Sequence, residues 1–265
     1  MNKNEHKPKA NQMSQTLRYP EILEIAQRDG KVTVDGLAQY FGVTLQTIRR
    51  DLTDLADAGQ LVRVHGGAVL PSSTANIHYE ERQSLNSDAK RLMAQACAAQ
   101  IPDNVSLFLN IGTSTEAVAR ELVRHRNLMV VTNNINIAHI LSGHPDCSVV
   151  LTGGQLRRSD GGLVGNLATQ TISQFKFDIA VIGCSALDHD GDLLDFDIQE
   201  VAVSQAILQH SRKTFLVADH SKLARSAPAR IASLSEVDAV FTDRPFPNQL
   251  ANACAAWGTA VHVLS

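Results

Sequence analysis

Small and hydroxylated residues follow three apolar runs in the C-terminal two thirds of the sequence, in an arrangement that could bind an anion. Gly112, Thr113, Ser114 and Thr115 follow the run 105–110, Asn133 and Asn134 follow Thr132 at the end of the run 128–132, and Gly153 and Gly154 follow the run 147–152. Where a strand leads into a helix, exposed backbone N–H groups and the helix dipole attract a phosphate. One such turn is more often a plain helix cap, but three together favour a binding site.

Charged residues further along the chain could complete that site. Arg157 could hold a phosphate through two parallel hydrogen bonds, although surface arginines are common and need have no ligand. Asp195, Asp197 and Glu200 could accept hydrogen bonds from ligand hydroxyls, or could equally cap a helix that begins near Ile198. The residues alone leave both alternatives open.

The segment TLQTIRRDLTDLAD, residues 44–57, suggests a second kind of chemistry, because its two arginines precede its three aspartates. With Thr44 as N-cap, the first two turns of the predicted helix present Gln46, Thr47, Arg49 and Arg50 without a carboxylate. One aspartate stands four residues after Arg50, where an ordinary ion pair would explain both residues. The arginines therefore either contact DNA or belong to a solvated helix face.

The neighbouring elements decide between these two interpretations. Helical spacing predicts helices over 17–28 and 34–42, with Gly42 ending the second. One face of the third helix carries Leu45, Ile48, Leu52, Leu55 and Ala56. The run LVRVHGGAVL predicts a hairpin around Gly66 and Gly67, with Arg63 and His65 near its tip. This series is typical of a winged helix-turn-helix, whose third helix reads the major groove.

We therefore predict that Arg49 and Arg50 face DNA, one on base edges and the other on phosphate, without assigning which. The predicted DNA-binding residues are Thr44, Gln46, Thr47, Arg49, Arg50, Arg63, His65, Gly66 and Gly67.

Short apolar runs alternate with helical stretches in the remaining sequence. The runs cover 105–110, 128–132, 147–152, 177–183, 213–219 and 237–243. Such alternation predicts a mostly parallel sheet covered by helices, and hence an α/β domain. Ligands of parallel sheets bind beyond the carboxyl ends of the strands, which is where the three polar turns lie.

Composition excludes several classes of protein. The net charge is −3, with nine basic and eight acidic residues in 1–78, so DNA binding must depend on where charges sit and not on bulk basicity. Four widely spaced cysteines give no metal-ligand spacing, and we expect reduced thiols, no metal and no cofactor. A polar N-terminus and the lack of a membrane-length apolar run predict a cytoplasmic protein.

Several motifs resemble those of the DeoR family of bacterial repressors. They are TIRRDL, RVHGGA, LNIGTSTEAVA, VVTNNINIA, LTGGQLRRSDGGLVG, LLDFDIQEV and LVADHSKLAR. The resemblance covers about residues 16–265 and implies a winged helix-turn-helix followed by a sensor domain akin to ribose-5-phosphate isomerase. It also implies operator DNA as partner, a homo-oligomer (tetramer or dimer), and a phosphorylated effector that releases the DNA. Within the family the likeness is to repressors of glycerol metabolism, which implies sn-glycerol 3-phosphate and adds Lys222 to the site.

Two residues depart from the family pattern. Asn110 replaces the usual aspartate, and Ser114 replaces the more common threonine. The first change argues against proton transfer at this place, and so against the main alternative, a sugar-phosphate isomerase with an accessory DNA-binding domain. A constitutive, nucleoid-type DNA binder is a further alternative, which the limited basic surface does not favour.

The predicted organisation has four parts. Residues 1–15 form a polar tail, 16–72 the DNA-binding domain, 73–86 a linker without sustained periodicity, and 87–265 the sensor and oligomerisation domain.

Overall fold

A computed structural model describes residues 15–72 and 76–264. The chain divides into two compact units, Met1–Pro71 and Ser72–Ser265. The predicted polar tail, 1–15, falls almost wholly outside the described residues. No helix within the described ranges is both long and apolar enough to cross a membrane.

The N-terminal unit is a winged helix-turn-helix, as the sequence predicted. Its elements are α1 Gln15–Asp29, β1 Lys31–Thr33, α2 Val34–Phe41, α3 Leu45–Asp57, β2 Val62–Val64 and β3 Gly67–Val69. The three strands form an antiparallel sheet in the order β1-β3-β2. The turn of the hairpin consists of His65 and Gly66, and Gly67 already belongs to β3.

Local caps set the turn between α2 and α3. The Thr33 hydroxyl accepts a hydrogen bond from the Gly36 N–H, and Gly42 ends α2 in the left-handed region with φ 65°. The Thr44 hydroxyl accepts from the Thr47 N–H at 3.1 Å, which confirms Thr44 as the N-cap of α3.

The buried face of α3 differs from the prediction at its first turn and at its middle. Ile48, Leu52 and Leu55 are buried, but Leu45 is 41% exposed because the first turn projects beyond the core. Asp51 lies on the buried face instead, where it forms a two-point ion pair with Arg18 of α1. Arg18 Nε lies 2.7 Å from Asp51 Oδ2, and Nη2 lies 3.1 Å from Oδ1.

The C-terminal unit alternates helices and strands. In chain order they are α4 Tyr79–Ser84, α5 Ser87–Ala99, β4 Ser106–Leu109, α6 Thr113–Glu121, β5 Leu128–Thr132, α7 Ile135–Leu141, β6 Cys147–Leu151, β7 Gln155–Leu156, β8 Leu163–Val164, α8 Asn166–Ser173, β9 Phe177–Ile182, β10 Ala186–Leu187, β11 Asp192–Asp195, α9 Ile198–Gln209, β12 Ser211–Val217, β13 Ala229–Ser233, β14 Ala239–Thr242, α10 Asn248–Trp257 and β15 Ala260–Val263.

A parallel sheet in the order β15-β14-β12-β9-β4-β5-β6 forms the centre of this unit. It contains all six predicted strands and also β15, which the sequence did not suggest. Side chains alternate between two buried clusters: Leu107 and Leu109 belong to one, and Phe108 belongs to the other. Helices therefore cover both faces, and the prediction of an α/β domain is confirmed.

The order of strands places a crevice beside β4. From β4 the chain proceeds outward through β5 and β6, whereas β9, β12, β14 and β15 lie on its other side. The connections after β4 and β9 consequently leave in opposite directions, and a space opens between them at the carboxyl ends of the strands.

Part of the predicted linker is helical. Residues 79–84 form α4, none of whose residues is buried. Tyr79 nevertheless donates a hydrogen bond from its hydroxyl to Glu116 of α6 at 2.8 Å, so the helix is attached to the C-terminal unit. A short helix held by polar contacts has no periodic pattern of apolar residues in its sequence, which is why this segment was predicted to be a linker. The small sheet β10-β11-β13 and the hairpin β7-β8 were not predicted either.

Candidate functional site

The first two turns of α3 expose a basic surface. Gln46, Arg49 and Arg50 are exposed. The two nearest aspartates are occupied by α1, since Asp51 pairs with Arg18 and Asp54 accepts a hydrogen bond from the Tyr19 hydroxyl at 2.7 Å. This arrangement suits contact with the DNA backbone and bases better than an arginine face neutralised by its own helix.

The wing adds a third arginine to that surface. Arg63 of β2 is half-buried, and its Nη1 is buried without a hydrogen-bond partner among the described residues. Burial, together with the nearby charge of Arg49, lowers the pKa of Arg63. The positive charges of Arg63 and Arg49 thus lie close together, and a bound DNA phosphate would reduce the repulsion between them.

Two residues predicted to bind DNA also have structural roles. Gly67 is buried, and a Cβ there would lie 1.9 Å from the backbone oxygen of Val32, so β1 can pair with β3 only if this residue is glycine. The Thr44 hydroxyl is already engaged with the backbone and hydroxyl of Thr47, at 3.1 and 2.9 Å. Thr47 is half-buried, whereas His65 and Gly66 are exposed at the turn of the wing.

A cavity that is partly open to solvent lies in the crevice beside β4. Its wall is formed by residues 111–115 after β4, residues 183–185 after β9, Val217 at the end of β12, and the side chains of Arg82, Asp195, Glu200 and Lys222.

One end of the cavity is cationic. Arg82 and Lys222 line it, and Lys90 and Arg225 interact electrostatically with both of them. Lys90, Lys222 and Arg225 also interact with Asp219, which is 3% exposed. Although burial opposes it, Lys222 and its neighbours lower the pKa of Asp219 to about 2, so this carboxylate stays charged. Among the described residues of this cluster, the four cations outnumber the two acids, Asp219 and Asp160, the second of which pairs with Arg82 at 3.2 Å.

Arg225 gives the clearest sign of a missing partner. Its Nε, Nη1 and Nη2 atoms are all buried without a hydrogen-bond partner among the described residues, and the same is true of Arg82 Nε. Leaving a buried charged donor without an acceptor costs more free energy than a typical hydrogen bond between neutral groups contributes. A bound anion would supply the acceptors.

Burial also changes the acidity of the two lysines. It lowers the pKa of Lys90 to about 7 and that of Lys222 to about 8, with neighbouring cations adding to the effect and Asp219 opposing it. A dianion in the cavity would favour the charged form of both lysines.

The other end of the cavity is acidic. Glu200 and Asp195 line it, and burial together with Asp195 raises the pKa of Glu200 to about 8, against the opposing effect of Arg157. Such groups can exchange hydrogen bonds with ligand hydroxyls.

Arg157 does not line the cavity, contrary to the prediction that it closes over a phosphate. Its guanidinium is shared by Asp160, Asp197 and Glu200, with N–O distances of 2.6, 2.8 and 2.6 Å. Because three carboxylates already neutralise it, its role is to hold the acidic end in place. Asp197 caps α9 by accepting from the Gln199 N–H at 2.8 Å, so the capping alternative applies to this residue.

The predicted effector residues thus fall into two groups. Those that line the cavity are Gly112, Thr113, Ser114, Thr115, Glu200 and Lys222. Those that do not are Thr132, Asn133, Asn134, Gly153, Gly154, Arg157 and Asp197. The second group builds the frame: the Thr132 hydroxyl donates to the Leu109 carbonyl at 2.7 Å, and Asn134 caps α7. Gly154, with φ 135°, allows β8 to approach, since a Cβ would lie 2.6 Å from the Val164 oxygen.

Asn110, which replaces the family's aspartate, is also structural. It is 1% exposed, donates from Nδ2 to the Ser204 hydroxyl at 2.9 Å, and accepts from the Ile111 N–H at 2.8 Å. An amide held in this way cannot act as a general acid or base, which removes the group that an isomerase would need here.

Sequence reasoning missed three cations of the site. Arg82 fell within the predicted linker and Lys90 was not singled out, and nothing local distinguishes either of them. Arg225 lies three residues after Lys222 in the motif LVADHSKLAR, and that spacing within one short turn was the available signal.

Comparison with known proteins agrees with this two-part organisation. The DeoR-like helix-turn-helix domain matches residues 18–74, and the DeoR C terminal sensor domain matches residues 85–244. The chain is 45% identical to the glycerol-3-phosphate regulon repressor of Escherichia coli (strain K12), over 89% of this chain and 93% of that protein.

Other similar proteins include a second glycerol-3-phosphate regulon repressor, from Haemophilus influenzae, which is 45% identical over 87% of this chain and 90% of its own. The HTH-type transcriptional repressor CsqR of Escherichia coli (strain K12) is 37% identical over 88% and 89%. A solved ribose 5-phosphate isomerase from Methanocaldococcus jannaschii aligns with 52% of this chain and 55% of its own, at 14% identity and a TM-score of 0.39. The chain therefore belongs to the DeoR family and is a DNA-binding transcriptional repressor.

Proposed function

We propose that this cytoplasmic repressor controls glycerol 3-phosphate metabolism and releases its operator when sn-glycerol 3-phosphate occupies the cavity beside β4. The two ends of the cavity carry this proposal. A phosphate fits the backbone N–H groups of α6 and the cations Arg82, Lys222 and Arg225, and the glycerol hydroxyls fit Asp195 and Glu200.

The DNA-binding side of the proposal uses the basic surface of the N-terminal unit. The exposed residues Gln46, Arg49 and Arg50 enter the major groove, and Arg63 with the wing contacts the backbone. A homo-oligomer, dimer or tetramer, would place two such units on half-sites separated by about one helical turn, roughly 34–36 Å.

Release follows from unequal affinity. If the effector binds the arrangement that cannot bind DNA about a hundredfold more tightly than the DNA-bound one, the coupling free energy is about 2.7 kcal/mol. The effector then needs no contact with DNA, because it acts by shifting the population of the repressor.

Calorimetric titration of the full chain with sn-glycerol 3-phosphate, glycerol and inorganic phosphate tests the effector assignment. We expect the ester to bind more tightly than phosphate, and glycerol alone not to bind measurably, because the cations supply most of the affinity. Equal binding of the ester and of phosphate would remove the role of the acidic end.

A pair of lysine variants sharpens this test. Lys222→Gln should weaken binding of the ester by about tenfold or more, since a charge-assisted contact is lost. Lys213→Gln removes an exposed lysine of β12 and should change nothing. An unchanged affinity in Lys222→Gln would take this residue out of the site.

A further inference from the structure

Helix α4 and its flanks connect, in chain order, the DNA-binding unit to the sensor sheet. The first unit ends at Pro71, α4 covers Tyr79–Ser84, and α5 begins at Ser87. Any restraint on this segment therefore restrains the connection that leads to the DNA-binding unit.

The segment is attached by polar contacts to the cationic half of the cavity. Asn76 donates from Nδ2 to the Ser185 hydroxyl at 2.9 Å, and Asn86 donates from Nδ2 to Asp219 Oδ1 at 2.8 Å. The backbone carbonyl of Arg82 accepts hydrogen bonds from the Lys90 ammonium and from the Thr113 hydroxyl. Each partner is a wall residue of the cavity or belongs to its cationic cluster.

A second attachment lies outside the cavity. The Tyr79 hydroxyl donates to the Glu116 carboxylate, with both oxygens within 2.9 Å, and accepts from Asn136 Nδ2 at 2.9 Å. Burial and the Glu116 hydrogen bond raise the pKa of Tyr79, so its hydroxyl remains a donor at physiological pH. Since α4 buries no residue of its own, these polar contacts largely determine whether it stays docked.

Arg82 joins α4 to the anion site directly. It lines the cavity, its Nη2 lies 3.2 Å from Asp160 Oδ2, and its buried Nε lacks a hydrogen-bond partner among the described residues. A phosphate beside Thr113 and Lys222 would accept from that Nε and add a charge-assisted bond between α4 and the wall of the cavity.

We propose that Arg82 is the residue through which the bound anion acts on the DNA-binding unit. When an anion occupies the cavity, α4 and its flanks, residues 76–86, are held in place. The hydrogen bond from Tyr79 to Glu116 transmits this restraint to α6. This inference rests on the proposed function, because it requires an anionic effector in the cavity. Lys222 and Arg225 supply affinity, Tyr79 supplies coupling, and Arg82 supplies both.

The test separates affinity from coupling in the full chain. Operator affinity is measured by fluorescence anisotropy without effector and at saturating sn-glycerol 3-phosphate, and effector affinity is measured by calorimetry. We expect the wild-type protein to lose about a hundredfold in operator affinity at saturation. Lys222→Gln should need more effector but reach the same loss.

Variants of the two α4 residues, Tyr79 and Arg82, should behave differently from Lys222→Gln. Tyr79→Phe, which removes a hydroxyl that does not touch the cavity, should keep effector affinity within about twofold but reduce the loss of operator affinity to about tenfold or less. Arg82→Gln should weaken effector binding and also show the reduced loss at saturation. Arg82→Lys keeps the positive charge but not the planar guanidinium. It should restore effector affinity more fully than it restores the loss of operator affinity at saturation.

Hydrogen exchange supplies an independent readout. Residues 76–86 of the wild-type protein should become more protected when sn-glycerol 3-phosphate or inorganic phosphate is added, and those of Arg82→Gln should not. Full wild-type coupling in both Tyr79→Phe and Arg82→Gln would overturn the inference and leave the proposed function intact. A wild-type operator affinity unchanged by the effector would overturn both.

Discussion

The cations of the two units are arranged in opposite ways. Arg49 and Arg50 lie on an open surface whose nearby acids are turned toward α1, whereas Lys222 and Arg225 are enclosed around Asp219. An open basic surface suits a long polyanion and gives binding that weakens with salt. Enclosed cations suit a small dianion and give binding that depends on pH and on fit. Under the proposed function, this difference lets a chain of net charge −3 recognise two kinds of anion.

The open surface depends on one buried ion pair, and breaking it should have the largest effect. Asp51→Ala would remove the carboxylate that forms the two-point ion pair with Arg18, a residue that is 6% exposed. We expect the N-terminal unit to lose about 3–5 kcal/mol of stability, as when one partner of a buried pair is removed. Hydrogen exchange of α1 and α3 in the full chain measures this loss.

Glu24→Ala, which removes an exposed acid of α1, is the matched control and should leave exchange unchanged. If Asp51→Ala behaved like this control, the pair would not orient the recognition helix.

Removing one exposed arginine should affect DNA alone. Arg50→Ala should weaken operator binding by about 1–3 kcal/mol if it reads a base, or reduce the salt slope by about one if it contacts phosphate. Effector affinity should not change, because the residue belongs to the other unit. Anisotropy at several salt concentrations distinguishes the two roles.

Arg28→Ala serves as control, since this exposed arginine of α1 is paired with Asp29 at 2.8 Å. Normal operator affinity in Arg50→Ala would show that α3 does not face DNA as proposed.

The enclosed cations should make effector binding depend on pH. In the free protein burial holds the pKa of Lys90 at about 7 and that of Lys222 at about 8, and a bound dianion raises both. Binding therefore takes up protons above pH 7–8, and affinity should fall as pH rises, by up to about tenfold per pH unit for each lysine kept charged. It should also fall below about pH 6, where the phosphate itself gains a proton.

Calorimetry in buffers of different ionisation enthalpy measures this proton uptake directly. Lys222→Gln should make the alkaline fall in affinity shallower and reduce the proton uptake, because Lys90 would then act alone. An affinity that stays constant from pH 7 to 9 would contradict the enclosed arrangement.

Local patterns predicted the elements well where one local cause sets the structure. The buried parallel strands are continuous apolar runs, and Thr44 and Gly42 cap their helices through contacts within a few residues. The loop at Gly112 was placed correctly in the wall of the cavity for the same reason, because a strand leading into a helix fixes its position.

Contacts between residues far apart in the chain explain the features that the sequence did not predict. Asp51 is buried because Arg18 approaches from 33 positions away, and Arg157 meets carboxylates from the α9 region instead of a ligand. Neither partner is visible in a local pattern. Helix α4 escaped prediction because its attachment is polar, and Arg82 acquires its place only when the sheet brings the loop after β4 beside it.

The central claim is that an anion in the sensor cavity lowers the affinity of the basic surface of the N-terminal unit for DNA. Fluorescence anisotropy of the wild-type chain on a labelled operator, titrated with sn-glycerol 3-phosphate at fixed salt and pH, tests it most directly. We expect operator affinity to fall by about a hundredfold and then level off as the cavity fills. An operator affinity that does not change up to millimolar effector, in a protein shown by calorimetry to bind that effector, would contradict the account.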